Sequence, residues 1–283
     1  MRFLFLFSLS FILGCNTLPK DRYNLFTFSP KGNYVKDSTV EISLSNPIYC
    51  PLLVTISSEQ DSAGLSVQLS EISPIYLPPM LQDTILQLRG DSTNGKSRLL
   101  WSISYAHTPD TIQADSFFLP YPYGRTHSIM QSYHGSFSHN NDGARYAIDF
   151  ALSVGDTVCA AADGYVVGVI EGYEKGGNDS KWMDYANFIN LYHPTKNVYT
   201  QYVHLKKNGS LVEVGDRVAA GQAIGISGAT GWTSKPHLHF NVVRWIEGKR
   251  VSVPATFRQK TLISGSDFKR GGRHENLIRT KSF

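Results

Sequence analysis

The strongest chemical signal in this 283-residue chain is Lys235-Pro236-His237-Leu238-His239-Phe240-Asn241-Val242-Val243. In a strand, residues two apart share a face. His237 and His239 are therefore neighbours on one side, with Leu238 and Phe240 on the other. Two imidazoles on one face of an apolar strand are costly to bury unless something uses them. A pair of surface histidines is the plain alternative, but the apolar flanks point to half-burial. A second element, Tyr199-Thr200-Gln201-Tyr202-Val203-His204-Leu205, alternates as a strand should. In a third, Ser138-His139 precedes Tyr146-Ala147-Ile148-Asp149-Phe150, where Asp149 interrupts an apolar strand. A buried carboxylate wants a cation, and a metal ion is one candidate. Two histidines plus one aspartate make a three-ligand set with an open fourth position, the pattern of a catalytic zinc site.

The elements that must hold these residues lie in the second half, where eight of the nine histidines and most glycine turn signals fall. This half carries an internal echo. Val154-Gly155-Asp156-Thr157-Val158 recurs as Val214-Gly215-Asp216-Arg217-Val218. Each copy leads through an Ala-containing step and a turn glycine (Gly164, Gly221) into an apolar strand, which implies a β-fold of two related hairpin units. The loop Gly172–Ala186 is long, Gly-rich and aromatic, and reads either as one wall of a groove or as a mobile surface loop.

Together these motifs resemble the lysostaphin/LytM-type zinc metallopeptidases over roughly residues 132–258. The resemblance rests on the Asp149 strand, the Gly-Asp-x-Val hairpins, Gly228-Ala229-Thr230-Gly231 and Pro236–Phe240. It implies an antiparallel β-sheet domain with a shallow groove and one Zn²⁺ held by His139, Asp149 and His239. It makes His237 the catalytic histidine and His204 the second active-site histidine, which either stabilises an oxyanion or orients the water. One spacing departs from the family pattern, because His139 and Asp149 are ten residues apart where four is commoner. His134 therefore competes as first ligand; the longer insert resembles a variant branch, which favours His139. The family cleaves peptide bonds in the stems and bridges of peptidoglycan, so a zinc endopeptidase is expected. The alternative is an inactive or latent relative that binds the wall or activates other wall hydrolases. Every motif position is occupied, which favours the enzyme. A swinging-arm carrier module is set aside, since neither hairpin repeat offers a suitable exposed lysine.

The expected fold class is all-β. Residues 21–120 read as short strands between turn residues, namely Thr39–Ser45, Leu52–Ser57, Leu65–Leu69, Thr84–Leu88, Arg98–Tyr105 and Thr111–Leu119. This spacing suggests a β-sandwich-like accessory domain, a spacer or a docking module for another envelope protein. Tyr121–Ser132 reads as the linker into the peptidase domain, 121–258. Residues 259–283 read as a basic, solvated tail.

Met1 to Gly14 are one basic residue and a short apolar run ending at Cys15, which resembles a lipoprotein signal peptide. Lipidation of Cys15 would tether a soluble body to a membrane, and Asn16 resembles outer-membrane sorting, facing the periplasm. Cys50 and Cys159 read either as one inter-domain disulfide or as two buried free thiols, with the thiols favoured. The balance of 27 basic against 23 acidic residues is too small to argue for nucleic acid.

Overall fold

The computed structural model describes residues 18–35, 39–59, 64–89, 99–108 and 116–278. The expected signal segment with Cys15 and Asn16, Arg98, most of Thr111–Leu119, and Arg279 and Lys281 of the basic tail lie outside the described residues. The architecture is all-β, with antiparallel sheets throughout most of the chain.

The N-terminal segment folds as two three-stranded sheets. One orders Lys31–Val35, Thr39–Asn46 and Leu81–Arg89; the other orders Ile75–Leu77, Leu52–Ser58 and Leu99–Tyr105. Thr39–Asn46 alternates strictly, burying Val40, Ile42 and Leu44, which meet Leu52, Val54 and Ile56 of the second sheet in one core. One expected strand is corrected. Leu65–Ile72 is an α-helix, because Leu65 and Leu69 are buried four apart while Val67 is 56% exposed. The run Leu-Ser-Val-Gln-Leu fits a period of two as well as i, i+4, and packing selects the helix.

The C-terminal half is organised on a nine-stranded sheet. Its order is Arg217–Val218, Gly164–Ile170, Phe188–His193, Val198–Val203, Leu238–Ile246, Ile148–Phe150, Thr126–Gln131 and Arg273–Glu275, with Lys249–Ser252 also paired to Leu238–Ile246. The two echoed turns are built alike. Gly155 and Gly215 have φ of 100° and 104°, a region open mainly to glycine. Asp156 and Asp216 each accept from a backbone N–H three residues back, at 2.7 and 2.8 Å. The strands that follow exchange partners. Thr157–Cys159 pairs with Ala223–Ser227, and Arg217–Val218 pairs with Gly164–Ile170.

Alternation divides the large sheet. On one face Leu238, Phe240, Val242, Tyr202 and Phe150 build the main core with Val158 and Ile224 of the smaller sheet. On the other face Val167, Tyr192, Tyr199 and Val243 join the core of the N-terminal sheets. Tyr105 donates its hydroxyl to Val167 O at 2.9 Å, and Tyr199 donates to Ala106 O at 2.6 Å. At the far end of that second face Asp149, Gln201, Val203 and His239 line an open groove.

Two further expectations are corrected. Within the expected linker Tyr121–Ser132, Thr126–Gln131 is a sheet strand and Tyr121 is fully buried. The basic tail is structured as far as it is described. Phe268 is fully buried and Arg273–Glu275 pairs with Thr126–Ser128. Cys50 and Cys159 are buried and free.

Candidate active site

Four strands bring the site together in register. Asp149 lies opposite His239 on one side and Gln131 on the other, while His239 lies opposite Val203. Ile148 and Phe150 point into the main core, which forces Asp149 onto the open face. His239 shares that face for the same reason, since Leu238 and Phe240 are core residues. His139 arrives from the loop between Thr126–Gln131 and Ile148–Phe150. Its backbone N–H donates to Gly135 O and its Nδ1–H to Ser132 O at 2.9 Å, leaving Nε2 aimed inward.

His139 Nε2 lies 3.2 Å from Asp149 Oδ1 and 3.2 Å from His239 Nδ1, and His239 Nδ1 lies 2.9 Å from Asp149 Oδ1. Zinc bonds of about 2.0–2.1 Å in a tetrahedron set ligand atoms about 3.3 Å apart. The triangle of donor atoms therefore fits such an ion, and the donor set of one carboxylate and two imidazoles suits its chemistry. His134 is not in the cluster. It stands on the groove wall with φ 57°, edge-on to Tyr146.

Charge is tightly coupled here. Burial alone would raise the Asp149 carboxyl, but hydrogen bonds from His139 and His239 and the nearby His237 hold it well below the usual range. Burial pulls His139 down, and Asp149 more than reverses this, so His139 is raised. His239 is lowered by burial, with only partial compensation from Asp149.

His237 and His204 flank the triangle, with ring centres 4.5 Å apart. His237 Nδ1–H donates to Lys235 O at 2.8 Å, with Thr233 Oγ1 at 3.2 Å, so its bare Nε2 faces Asp149 Oδ1 at 3.7 Å. His204 follows the strand Val198–Val203 with φ 68°, a left-handed turn that costs a non-glycine residue about 1–2 kcal/mol. Its Nδ1–H donates to Thr230 O at 2.7 Å. Burial, then the neighbouring His237 and His239, push His204 down to about 3, so it is neutral near pH 7.

Sequence reasoning missed Gln131, Thr230 and Thr233. Gln131 Nε2 donates to Ser138 Oγ at 2.8 Å and to Asp149 Oδ2 at 3.3 Å, while its Oε1 accepts from Phe137 N. It thus ties the His139 loop to the second carboxylate oxygen. Thr230 Oγ1 accepts from Asn187 N at 3.0 Å and donates to Leu205 O at 2.8 Å. The partners of Gln131 and Thr230 are distant in sequence; Thr230 stood within the Gly228–Gly231 motif without a role, and Thr233, whose partners Lys235 and His237 are close by, was a local signal left unread.

The cluster opens into a groove of about 1010 Å³. Met183 and Ala186 from the Gly172–Ala186 loop line it, and Trp182 and Tyr185 anchor that loop in a small buried core. No residue before Met130 lines the groove among the described residues, so the N-terminal sheets leave it open.

Residues 143–253 match the model of peptidase family M23. The match begins four residues after His139, consistent with the long insert before Asp149. The chain is similar to the glycyl-glycine endopeptidase ALE-1 of Staphylococcus capitis, 42% identical over 103 residues, or 35% of this chain and 25% of that protein. It is also similar to the peptidoglycan DD-endopeptidase ShyA of Vibrio cholerae, 34% identical over 110 residues, covering 38% and 22% respectively. The chain spans about a quarter of the length of these relatives. Among solved structures, the lysostaphin catalytic domain from Staphylococcus simulans aligns at 27% identity over 56% of this chain and 91% of that one, with a TM-score of 0.29.

Proposed function

We propose that this chain is a zinc-dependent endopeptidase that hydrolyses peptide bonds in the stems or cross-bridges of peptidoglycan. The observation that carries this reading is the convergence of His139, Asp149 and His239 beneath an open groove that Asp149 and His239 line. Two further histidines stand beside them with bare nitrogens facing in. The similarity to endopeptidases of cell-wall peptides supports the substrate class.

His139, Asp149 and His239 would hold the ion. A bound zinc supplies a Lewis acid for the scissile carbonyl and makes water nucleophilic near neutral pH. The residues of the chain do the rest. His237, fixed by Lys235 O as the Nδ1–H tautomer, takes a proton from the attacking water at Nε2 and returns it to the leaving amine. Asp149 Oδ1 at 3.7 Å favours its transient cationic form. His204 is assigned to water orientation. Its only proton sits on Nδ1, held by Thr230 O, so its Nε2 accepts and has nothing to donate to an oxyanion. A lipid anchor at Cys15 would place this activity at the outer membrane, facing the periplasmic wall.

The test is mass-spectrometric analysis of purified peptidoglycan incubated with the zinc-loaded protein and with its His237→Ala variant. New peptide-cleavage products that fall by about 10²–10⁴ in the variant support the reading. No products from folded, zinc-replete protein overturn it in favour of a binding or activator role.

A further inference from the structure

The groove that holds the histidines is also strongly cationic. Arg250, Lys269 and Arg270 line it, whereas among the described residues its only carboxylate is Asp149, which the imidazoles already occupy. Among the described residues none of the three cations is in an ion pair. Arg250 is the most closely held. Its Nη1 donates to Gln201 Oε1 at 3.3 Å, and Gln201 is oriented in turn by donating Nε2 to Asn190 Oδ1 at 3.1 Å. Gln201 and Asn190 are both buried. The guanidinium crosses Gly143, where any Cβ would stand 3.2 Å from its Nε, and the Gly143 carbonyl is itself taken by Asn241 Nδ2. A guanidinium offers five N–H donors in a planar fork suited to a carboxylate. One neutral acceptor leaves most of them unused.

We propose that Arg250 is a specificity-determining residue that binds a free carboxylate of the substrate peptide, with Lys269 and Arg270 reinforcing the attraction. This deepens the peptidase reading and rests on it. Gln201 and Asn190 are positioning residues that pre-set the fork, which lowers the ordering cost of binding. Lys269 is fixed as well, by donating Nζ to Ser266 O at 2.7 Å. Lys269 and Arg270 lie beyond residues 143–253, the segment that matches the family model. The carboxylate could be the terminal α-carboxylate of a peptide or an internal side-chain carboxylate, and the chemistry at Arg250 is the same for both.

Three synthetic stem-type pentapeptides distinguish these sources. One has all carboxylates free, one carries a C-terminal amide and one has its internal carboxylate amidated. Binding is measured by calorimetry on the zinc-loaded full chain carrying His237→Ala, at low and high salt, and kcat/KM on the chain without that change. The free form should bind roughly 10–100-fold more tightly than one of the amides, and that amide identifies the carboxylate read. Arg250→Gln should bring the ratio close to one, and Arg250→Lys should keep part of it. Lys269→Ala and Arg270→Ala should weaken all anionic forms and flatten the salt dependence. Equal or absent binding of the three peptides overturns the proposal, as does an unchanged ratio in a folded Arg250→Gln protein. Preferential binding without cleavage by the intact active site would leave the carboxylate site standing and sink the peptidase reading. Cleavage without preference would do the reverse.

Discussion

Thr230→Val removes one hydroxyl at constant shape, and the structure says what that should do. Thr230 is buried beneath His204. Asn187 N has Thr230 Oγ1 as its partner, so the variant leaves a buried donor unmet, at a cost of about 1–3 kcal/mol. Leu205 O loses the Thr230 hydroxyl but keeps Asn187 Nδ2 at 3.2 Å, so its share is the net worth of one hydrogen bond, about 0.5–1.5 kcal/mol. Together the loss is about 1.5–4.5 kcal/mol. For a chain of this size that corresponds to roughly 3–18 °C in Tm, taking about 2–4 °C per kcal/mol. The assay is paired thermal and urea unfolding of wild type, Thr230→Val and Thr230→Ser. The serine variant keeps the hydroxyl and should lie within about 1 kcal/mol of wild type. Hydrolysis should fall in the valine variant, because the Thr230 carbonyl that sets the His204 tautomer is carried by the same turn. A valine variant as stable as wild type would refute the account of how this wall is held.

Other predictions follow from equally local features. His193 is fully buried, with Nδ1–H donated to Asp163 O and Nε2 facing Thr200 Oγ1. Burial pushes it down to about 4. The unfolded chain therefore takes up a proton below about pH 6.5 that the native state refuses until about 4, and stability should fall by about 3 kcal/mol across that window. Urea midpoints measured from pH 7 to 4 should show a slope that His193→Gln reduces, leaving the share of His204, which is also pushed down; identical slopes would contradict this. Gly176→Ala would drive a Cβ onto the backbone carbonyls of Ala229 and Gly231, splitting the short pairing that carries Trp232 into the groove. It should cost about 1–3 kcal/mol and most of the activity; an alanine variant with wild-type melting and turnover would contradict it. A protein cut before Tyr121 exposes Val167, Tyr192, Tyr199 and Val243, which the N-terminal sheets now cover. It should lose soluble yield and thermal stability without gaining activity, and a truncated form that is more active would show that those sheets restrain the groove.

The parts of this molecule that were legible in its sequence are those written in short, regular patterns. His237-x-His239 and the alternation around Asp149 force these side chains onto one face whatever the tertiary fold. The twin Val-Gly-Asp turns carry their own hydrogen-bonded aspartates, so their structure is local too. What escaped depends on distance. Gln131 sits in Thr-His-Ser-Ile-Met-Gln, a strand too polar to stand out, and it matters only because the register sets it opposite Asp149. The 259–278 segment has few apolar residues and reads as solvated, yet Phe268 fills a space among Phe150, Phe257 and His274. Tyr199 and Gln201 share a face of one strand. That the first meets the N-terminal sheets and the second lines the groove follows from where a distant segment packs.

The central claim is that three side chains from separate parts of the chain form a single metal centre, with His139 rather than His134 as the first ligand. The direct test is zinc content and affinity by chelator competition for wild type, His134→Ala, His139→Ala, Asp149→Asn and His239→Ala. The account predicts one tightly held zinc per chain in wild type and in His134→Ala. In each of the other three, affinity should fall by more than the roughly 10–100-fold that loss of an outer-shell partner costs. Zinc retained by His139→Ala and lost by His134→Ala, or held undiminished by Asp149→Asn, would contradict it.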